Sequence, residues 1–389
     1  MIKKQRLFTP GPTPLMPAVQ EALGRPIIHA RTDEFRALFV ECLKGLQAFL
    51  HTSNETLILA ASGSGAMEAA AVNLVAPGER VLALVAGNFG ERWAQITRSH
   101  GMDVRVLEAR WGEAVTPDQL AQALSEEPEA RAVFVQHSES STGVAHDIER
   151  LAAVVKSHGK ALLIVDAISG AGAMPLETDA WGVDVVVVGS QKTLSLPPGL
   201  AFLSLGPRAL ERIDACPTPR FYFDLRRERK GQQQGTTAYT PAISHVVALK
   251  AAHDFVEGLG GVDPMVHNAA TLAAMTRAAA EALGLPLVAP RDHGDALTAL
   301  FPPKGIEAPA IVKALKQEFG ATVAGGQGQL KGKIFRIAHL GYYDAIDGLG
   351  ILGALEVALM RLGHSFEAGA GLAAAEREYL RRCPAGGGK

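Results

Sequence analysis

Seven short apolar runs punctuate residues 57–206, each bounded by polar or turn-forming positions. They are Leu57–Ala60, Val81–Val85, Val104–Leu107, Ala132–Val135, Ala161–Asp166, Val185–Val188 and Ala201–Leu205. Several are apolar throughout and rich in Val, Ile and Leu, which predicts strands buried on both faces. Helix-periodic stretches at 65–75, 90–100, 117–124 and 147–158 separate most of them. This alternation predicts an α/β fold, with a mostly parallel sheet of seven-stranded type and helices on both faces. Ligands bind such sheets beyond the carboxyl ends of the strands. The residues that follow each run are therefore the first place to look for chemistry.

The pattern then changes. Residues 207–230 are polar and carry Arg220, Arg226, Arg227 and Arg229, which predicts a surface or interface excursion. Long helices are predicted at 241–258 and 264–283. After Gly284 the runs Leu285–Val288, Ala296–Phe301, Thr322–Ala324 and Ile334–Ala338 read as strands, with helices near 308–319 and 344–361. This describes a smaller α+β domain. The proline-rich start predicts an extended arm. The expected division is an N-terminal arm at 1–18, a large domain at 19–265, a small domain at 266–382 and a disordered tail at 383–389.

Composition narrows the class. The chain has 389 residues, 48% of them apolar and 20% charged, enough for a large core. A net charge of −2 supplies no basic field for nucleic acid or an acidic membrane. Cys42, Cys216 and Cys383 lie far apart, so neither a zinc knuckle nor a dithiol site is indicated, and no metal is expected. Sparse cysteine suits a reducing cytoplasm. No run of 18 apolar residues predicts a membrane helix.

Lys192 sits in Ser190-Gln191-Lys192-Thr193, just after the run Val185–Val188. An amine at the end of a buried strand is awkward for a surface charge and suits a reactive group at the mouth of a site. Burial and nearby positive charge favour its neutral, nucleophilic form. Asp166 ends another apolar run. Together they point to an aldehyde cofactor with a ring nitrogen, whose positive charge a carboxylate holds. Asp166 alone reads equally as a helix cap. Ser62-Gly63-Ser64-Gly65 joins a strand to a helix, where small residues let backbone N–H groups meet an anion; an ordinary tight turn needs glycine too. Phe89, at the next strand's end, either stacks on a planar ring or fills the core. His137–Gly143 is a polar cluster after a buried strand. Arg336, inside the run Lys333–Ala338, needs an anion, either a substrate carboxylate or a structural partner.

In order and spacing these segments resemble the class V aminotransferases, pyridoxal-phosphate enzymes of fold type I, and within them the alanine–glyoxylate and serine–pyruvate group. The resemblance runs through Phe8–Thr13, Ser62–Ala69, Glu139–Gly143, Val165–Ala167, Gly189–Lys192, Pro197–Gly199, Gly325–Gly328 and Lys331–Ile337. It implies that Lys192 forms the Schiff base with pyridoxal phosphate and that Asp166 faces the pyridinium nitrogen. Ser62, Gly63, Ser64 and Gln191 would hold the phosphate. Phe89 and Ile168 would flank the ring, Ser140 would reach its hydroxyl, and Arg336 would grip the substrate carboxylate with Gly11 at the substrate side. Tyr239 and Thr240, with Thr237 as the other option, would reach the phosphate of a neighbouring subunit in a homodimer. The implied activity is transamination between alanine or serine and glyoxylate or pyruvate. The alternatives are an aminoethylphosphonate-type transaminase, another class V lyase, or a non-catalytic hydrogenase-associated subunit.

Overall fold

The computed structural model describes residues 2–384. In chain order its strands are β1 (Arg6–Phe8), β2 (Glu55–Leu59), β3 (Arg80–Val85), β4 (Asp103–Glu108), β5 (Ala132–Gln136), β6 (Ser138–Glu139), β7 (Val144–Ala145), β8 (Leu162–Asp166), β9 (Val185–Gly189), β10 (Ala201–Leu205), β11 (Leu297–Leu300), β12 (Ala321–Gly325) and β13 (Phe335–Ala338). All seven runs of the first half form one sheet, ordered β2-β10-β9-β8-β5-β3-β4. Only β10 runs against its neighbours.

The reason for the unbroken apolar runs is visible in the packing. Side chains alternate across a strand, so Val185 and Val187 enter one core while Val186 and Val188 enter another. Phe134 and Ile164 share the first core; Val133, Val135 and Leu163 share the second. Helices cover both faces. Two lie before and two after β2: α1 (Pro17–Leu23), α2 (Asp33–Phe49), α3 (Gly63–Leu74) and α4 (Asn88–Ser99). Each fully buried aromatic in these cores, such as Phe134 or Phe202, stabilises the fold by about 3–5 kcal/mol relative to alanine.

A second sheet, ordered β1-β12-β13-β11, gathers a third core around Phe335, Ile337 and Leu355. The residues of the N-terminal arm are not all free-running: Arg6–Phe8 pair in parallel with Ala321–Val323. One expectation needs correcting and two gain detail. Leu285–Val288 is not a strand. Pro286 inside it and Pro290 just after it lack the N–H a ladder needs, and it meets β11 through a single bridge at Leu287. The excursion at 207–230 contains two helices, Pro207–Ala215 and Leu225–Gln232. Its arginines are tied down, Arg229 to Glu55 and Arg220 to the carbonyls of Cys216 and Thr218. The helix near 308–319 is α-helical only over Ala308–Ala314 before widening at Leu315–Phe319. Helices α2 and Ala370–Arg382 are additional to the sequence reading. Of the expected tail, Cys383 and Pro384 are described and the rest lies outside the described residues. Among the described residues no helix is long and apolar enough to cross a membrane.

Candidate active site

The winding of the large sheet reverses at β5, which lies between β3 and β8. The carboxyl ends of β2, β3, β5, β8 and β9 deliver the Ser62–Ser64 turn, Phe89, Ser140, Asp166 and Lys192 to one edge of the sheet. Such an edge, at a switch of strand order, is where α/β sheets place ligands.

Lys192 is held from two sides. Ser190 Oγ donates to the Pro197 carbonyl at 2.8 Å and accepts from Leu200 N at 3.2 Å, which closes the loop that carries the lysine. The arm closes it from above. Thr13 N donates to the Gln191 carbonyl and Thr13 Oγ1 to that of Lys192, at 3.2 and 2.8 Å. Lys192 Nζ itself donates to the carbonyl of Pro10. Gly11 has φ +138°, and a Cβ there would stand 2.6 Å from Lys192 Cε and Nζ, so the position requires glycine. The lysine is 9% exposed. Burial lowers its pKa to about 8, against the charge of Asp166 and with help from Arg336 and Arg92.

Asp166 is buried, and loss of water lifts its carboxyl to about 7, against a hydrogen bond from Ile168 N (2.9 Å to Oδ1) and the charge of Lys192. It caps no helix; it closes a turn. A second buried acid, Glu139, lies close enough to raise it further. Glu139 Oε2 accepts from Phe89 N and Gly90 N at 3.0 and 2.9 Å, and its Oε1 accepts from Ser141 N and Oγ at 3.1 and 2.6 Å. Ser141 Oγ in turn accepts from Asn88 N at 3.0 Å. The polar cluster after β5 thus serves as the N-cap of α4 and sets where Phe89 stands.

The start of α3 is open. Ser62 is its N-cap residue and makes no side-chain cap bond, so the first N–H groups of this twelve-residue helix are left to an anion. Gly63 lies against Ile168: a Cβ there would stand 2.4 Å from Ile168 Cδ1 and displace that side chain. Ile168 and Gln191 both border Gly189, and Gln191 Oε1 is buried without a partner. An open helix start, an orphaned buried amide, an amine and a carboxylate at one sheet edge fit a pyridine aldehyde phosphate.

Arg336, on β13, is 4% exposed, and burial lowers its pKa to about 10. Its Nε and Nη2 donate to the Gly325 carbonyl at 2.9 and 2.6 Å, and Nη1 donates to that of Ser140. A guanidinium has five N–H groups, so two remain, one on each terminal nitrogen. The ion-pair alternative is not what the structure shows: carbonyls hold Arg336, and its two remaining N–H groups could take an anion.

Tyr239 and Thr240 line a small cleft beside the carboxyl end of β2, with Leu59, Ala60, Leu200 and Phe223. Tyr239 stacks on Tyr222 (centroids 5.0 Å apart) and donates to the Phe221 carbonyl at 2.7 Å, while Thr240 is exposed. Thr237 Oγ1 donates to the Tyr239 carbonyl. Three features are additional to the sequence reading: the Pro10–Thr13 clamp, the capping by Glu139, and Arg92. Arg92 Nη1 donates to Ser64 Oγ at 2.9 Å, and its guanidinium carbon lies 4.7 Å from the Phe89 ring centroid. The i, i+3 spacing from Phe89 is its sequence signal, hidden when the helix is started at residue 90 rather than 88.

Comparison with known proteins agrees with this geometry. The family model described as Aminotransferase class-V matches residues 16–335. A relative from Synechococcus sp. (strain PCC 6716), named "Soluble hydrogenase, small subunit", is 41% identical over 97% of this chain and 99% of its own length. The L-aspartate–glyoxylate aminotransferase of Paracoccus denitrificans (strain Pd 1222) is 34% identical over 97% of each chain. The crystal structure of a subgroup IV aspartate aminotransferase from Thermus thermophilus superposes with a TM-score of 0.86 at 37% identity, covering 92% of this chain and 99% of that one. The chain belongs to the class V aminotransferases and is a pyridoxal-phosphate-dependent aminotransferase.

Proposed function

We propose that this enzyme moves the amino group of alanine or serine onto glyoxylate or pyruvate, as a cytoplasmic homodimer whose two sites share residues. One observation carries the reading: a buried amine lowered to about 8 lies within the field of a buried arginine that still has two N–H groups to give. Pyridoxal phosphate, when bound, supplies the electron sink for the bond broken at the donor α-carbon. Arg336 takes the donor carboxylate on its free N–H pair, a bidentate fit that fixes the α-carbon. Lys192, once displaced, takes the α-proton on Nζ, and a pKa near neutrality suits a group that must accept a proton and return it. The Pro10 carbonyl keeps that nitrogen aimed at the site. Asp166 would face the ring nitrogen of the bound cofactor, whose N–H would draw its lifted carboxyl back to the charged form.

Gly11 and Pro10 border the lysine on the substrate side, and Arg336 is matched to one carboxylate, which favours a small donor. The arm at 1–18 bridges the proposed large part (19–265) and small part (266–382): its strand sits in the second sheet and its Thr13 bonds the lysine loop. The exposed Phe221 and Tyr222, 68% and 50%, offer the dimer face from which Tyr239 and Thr240 reach the partner's phosphate. Desulfuration finds no support in Cys42 or Cys216, which are buried; burial lifts the Cys42 thiol to about 12.

A panel of amino donors, including alanine, serine, aspartate and aminoethylphosphonate, against glyoxylate and pyruvate tests the proposal. Alanine or serine with glyoxylate should give the highest kcat/KM. A preference for aspartate, the donor named for the Paracoccus relative, or for the phosphonate overturns the donor assignment. A protein that stays colourless with added cofactor and transfers nothing favours the hydrogenase-associated reading that the Synechococcus name suggests.

A further inference from the structure

On the reading above, the cofactor phosphate lies at Ser62, Gly63, Ser64 and Gln191, and each of these groups is neutral. A phosphate monoester carries close to two negative charges. A helix N-terminus answers with the equivalent of about half a positive one. That set lacks a cation, and Arg92 stands beside it. The side chain leaves α4 three residues after Phe89, on the same face. Its Nη1 already donates to Ser64 Oγ at 2.9 Å, so the guanidinium reaches the turn itself. Its carbon rests 4.7 Å from the Phe89 centroid, a cation–π contact that fixes its direction. The start of α4 is in turn fixed by Glu139. Arg92 is thus a pre-aimed charge rather than a free surface arginine, and its field reaches as far as Lys192 and Asp166, lowering both.

We propose that Arg92 is a cofactor-binding residue that supplies the counter-charge for the phosphate of pyridoxal phosphate at the start of α3. This rests on the assignment of that helix start as the phosphate site. It differs from the ring-directed residues in one consequence: Arg92 discriminates a phosphorylated from an unphosphorylated ligand.

The experiment is a pair of titrations of the full-length apoprotein, one with pyridoxal phosphate and one with pyridoxal, for the wild type, Arg92→Gln and Arg92→Lys. Arg92→Gln should weaken pyridoxal phosphate by about ten- to a hundredfold, the range for a charged hydrogen bond. It should leave pyridoxal within about threefold, taken as well below one such bond. Arg92→Lys, which keeps the charge and the fold, should recover much of the loss. Unchanged affinity for pyridoxal phosphate in Arg92→Gln, or an equal loss for both ligands in both variants, overturns the proposal. A wild type that binds pyridoxal phosphate no more tightly than pyridoxal overturns the phosphate-site assignment itself.

Discussion

Lys192 and Asp166 are both pushed toward neutrality by the same cause, removal from water, and each partly restrains the other. For Lys192 the folded-state pKa of about 8 lies below the 10.5 of an ordinary lysine. Its stability contribution is therefore fully present above the unfolded value and lost as pH falls toward 8. Replacing it with an uncharged side chain of similar length should stabilise the apoprotein at neutral pH. Lys192→Met is expected to gain on the order of 1–3 kcal/mol at pH 7, a gain that fades as pH rises past about 8 and is gone by about 10.5. Denaturant midpoints across that range check it, and a loss of stability at pH 7 would contradict it. The same variant should lose about a thousandfold or more in turnover, because both covalent capture and proton transfer depend on Nζ. At Arg336 the expectation is a split: Arg336→Lys should raise KM for the donor by about tenfold or more, since a lysine cannot present two parallel N–H groups. Equal KM with a lower kcat would place Arg336 away from the carboxylate. At this scale the sequence was informative where a residue's neighbours were local. Lys192 and Asp166 could be read from the strands they end. The partners of Arg336 could not, because Gly325 and Ser140 meet it only after β12, β13 and the β5 edge come together.

Among the elements, α4 shows how a buried acid does structural work for a site. Glu139 accepts four hydrogen bonds while fully buried, and burial still raises its pKa. Glu139→Gln keeps the shape but puts an NH₂ against N–H donors. It should cost about 1–3 kcal/mol in urea unfolding of the apoprotein. It should also weaken pyridoxal and pyridoxal phosphate alike by displacing Phe89. An unchanged midpoint would mean that α4 is capped some other way. The strands of the large sheet were legible because each is apolar on both faces, a pattern few other elements produce. Leu285–Val288 shows the limit of that logic: four apolar positions predict a strand, but the prolines at 286 and 290 leave too few donors to form one. Helix α2 shows the reverse. Phe35, Phe39, Cys42, Leu46 and Phe49 follow the spacing of a buried helical stripe, and Thr32 Oγ1 accepts from Phe35 N as its cap, so the signal lies in the sequence.

For the whole molecule, the arm ties the two sheets together through one short segment. Arg6–Phe8 extend the second sheet, and Pro10–Thr13 hold the lysine of the first. This long-range role could not be read from a proline-rich composition. On the proposed dimer, the exposed aromatic pair Phe221 and Tyr222, packed with Tyr239, is the contact face. Phe221→Ser with Tyr222→Ser should shift sedimentation from dimer to monomer. It should also lower affinity for pyridoxal phosphate, because Tyr239 and Thr240 would no longer reach a neighbour; a wild type that sediments as a monomer would contradict both. The central claim is that Lys192, at the end of β9, is the amine that holds the cofactor. Borohydride reduction of the protein loaded with pyridoxal phosphate, followed by peptide mass mapping, tests it most directly. The account predicts the reduced cofactor on the peptide containing Lys192, and none on the protein when Lys192→Ala is treated in the same way. A wild-type protein modified at another lysine, or left unmodified, would contradict it.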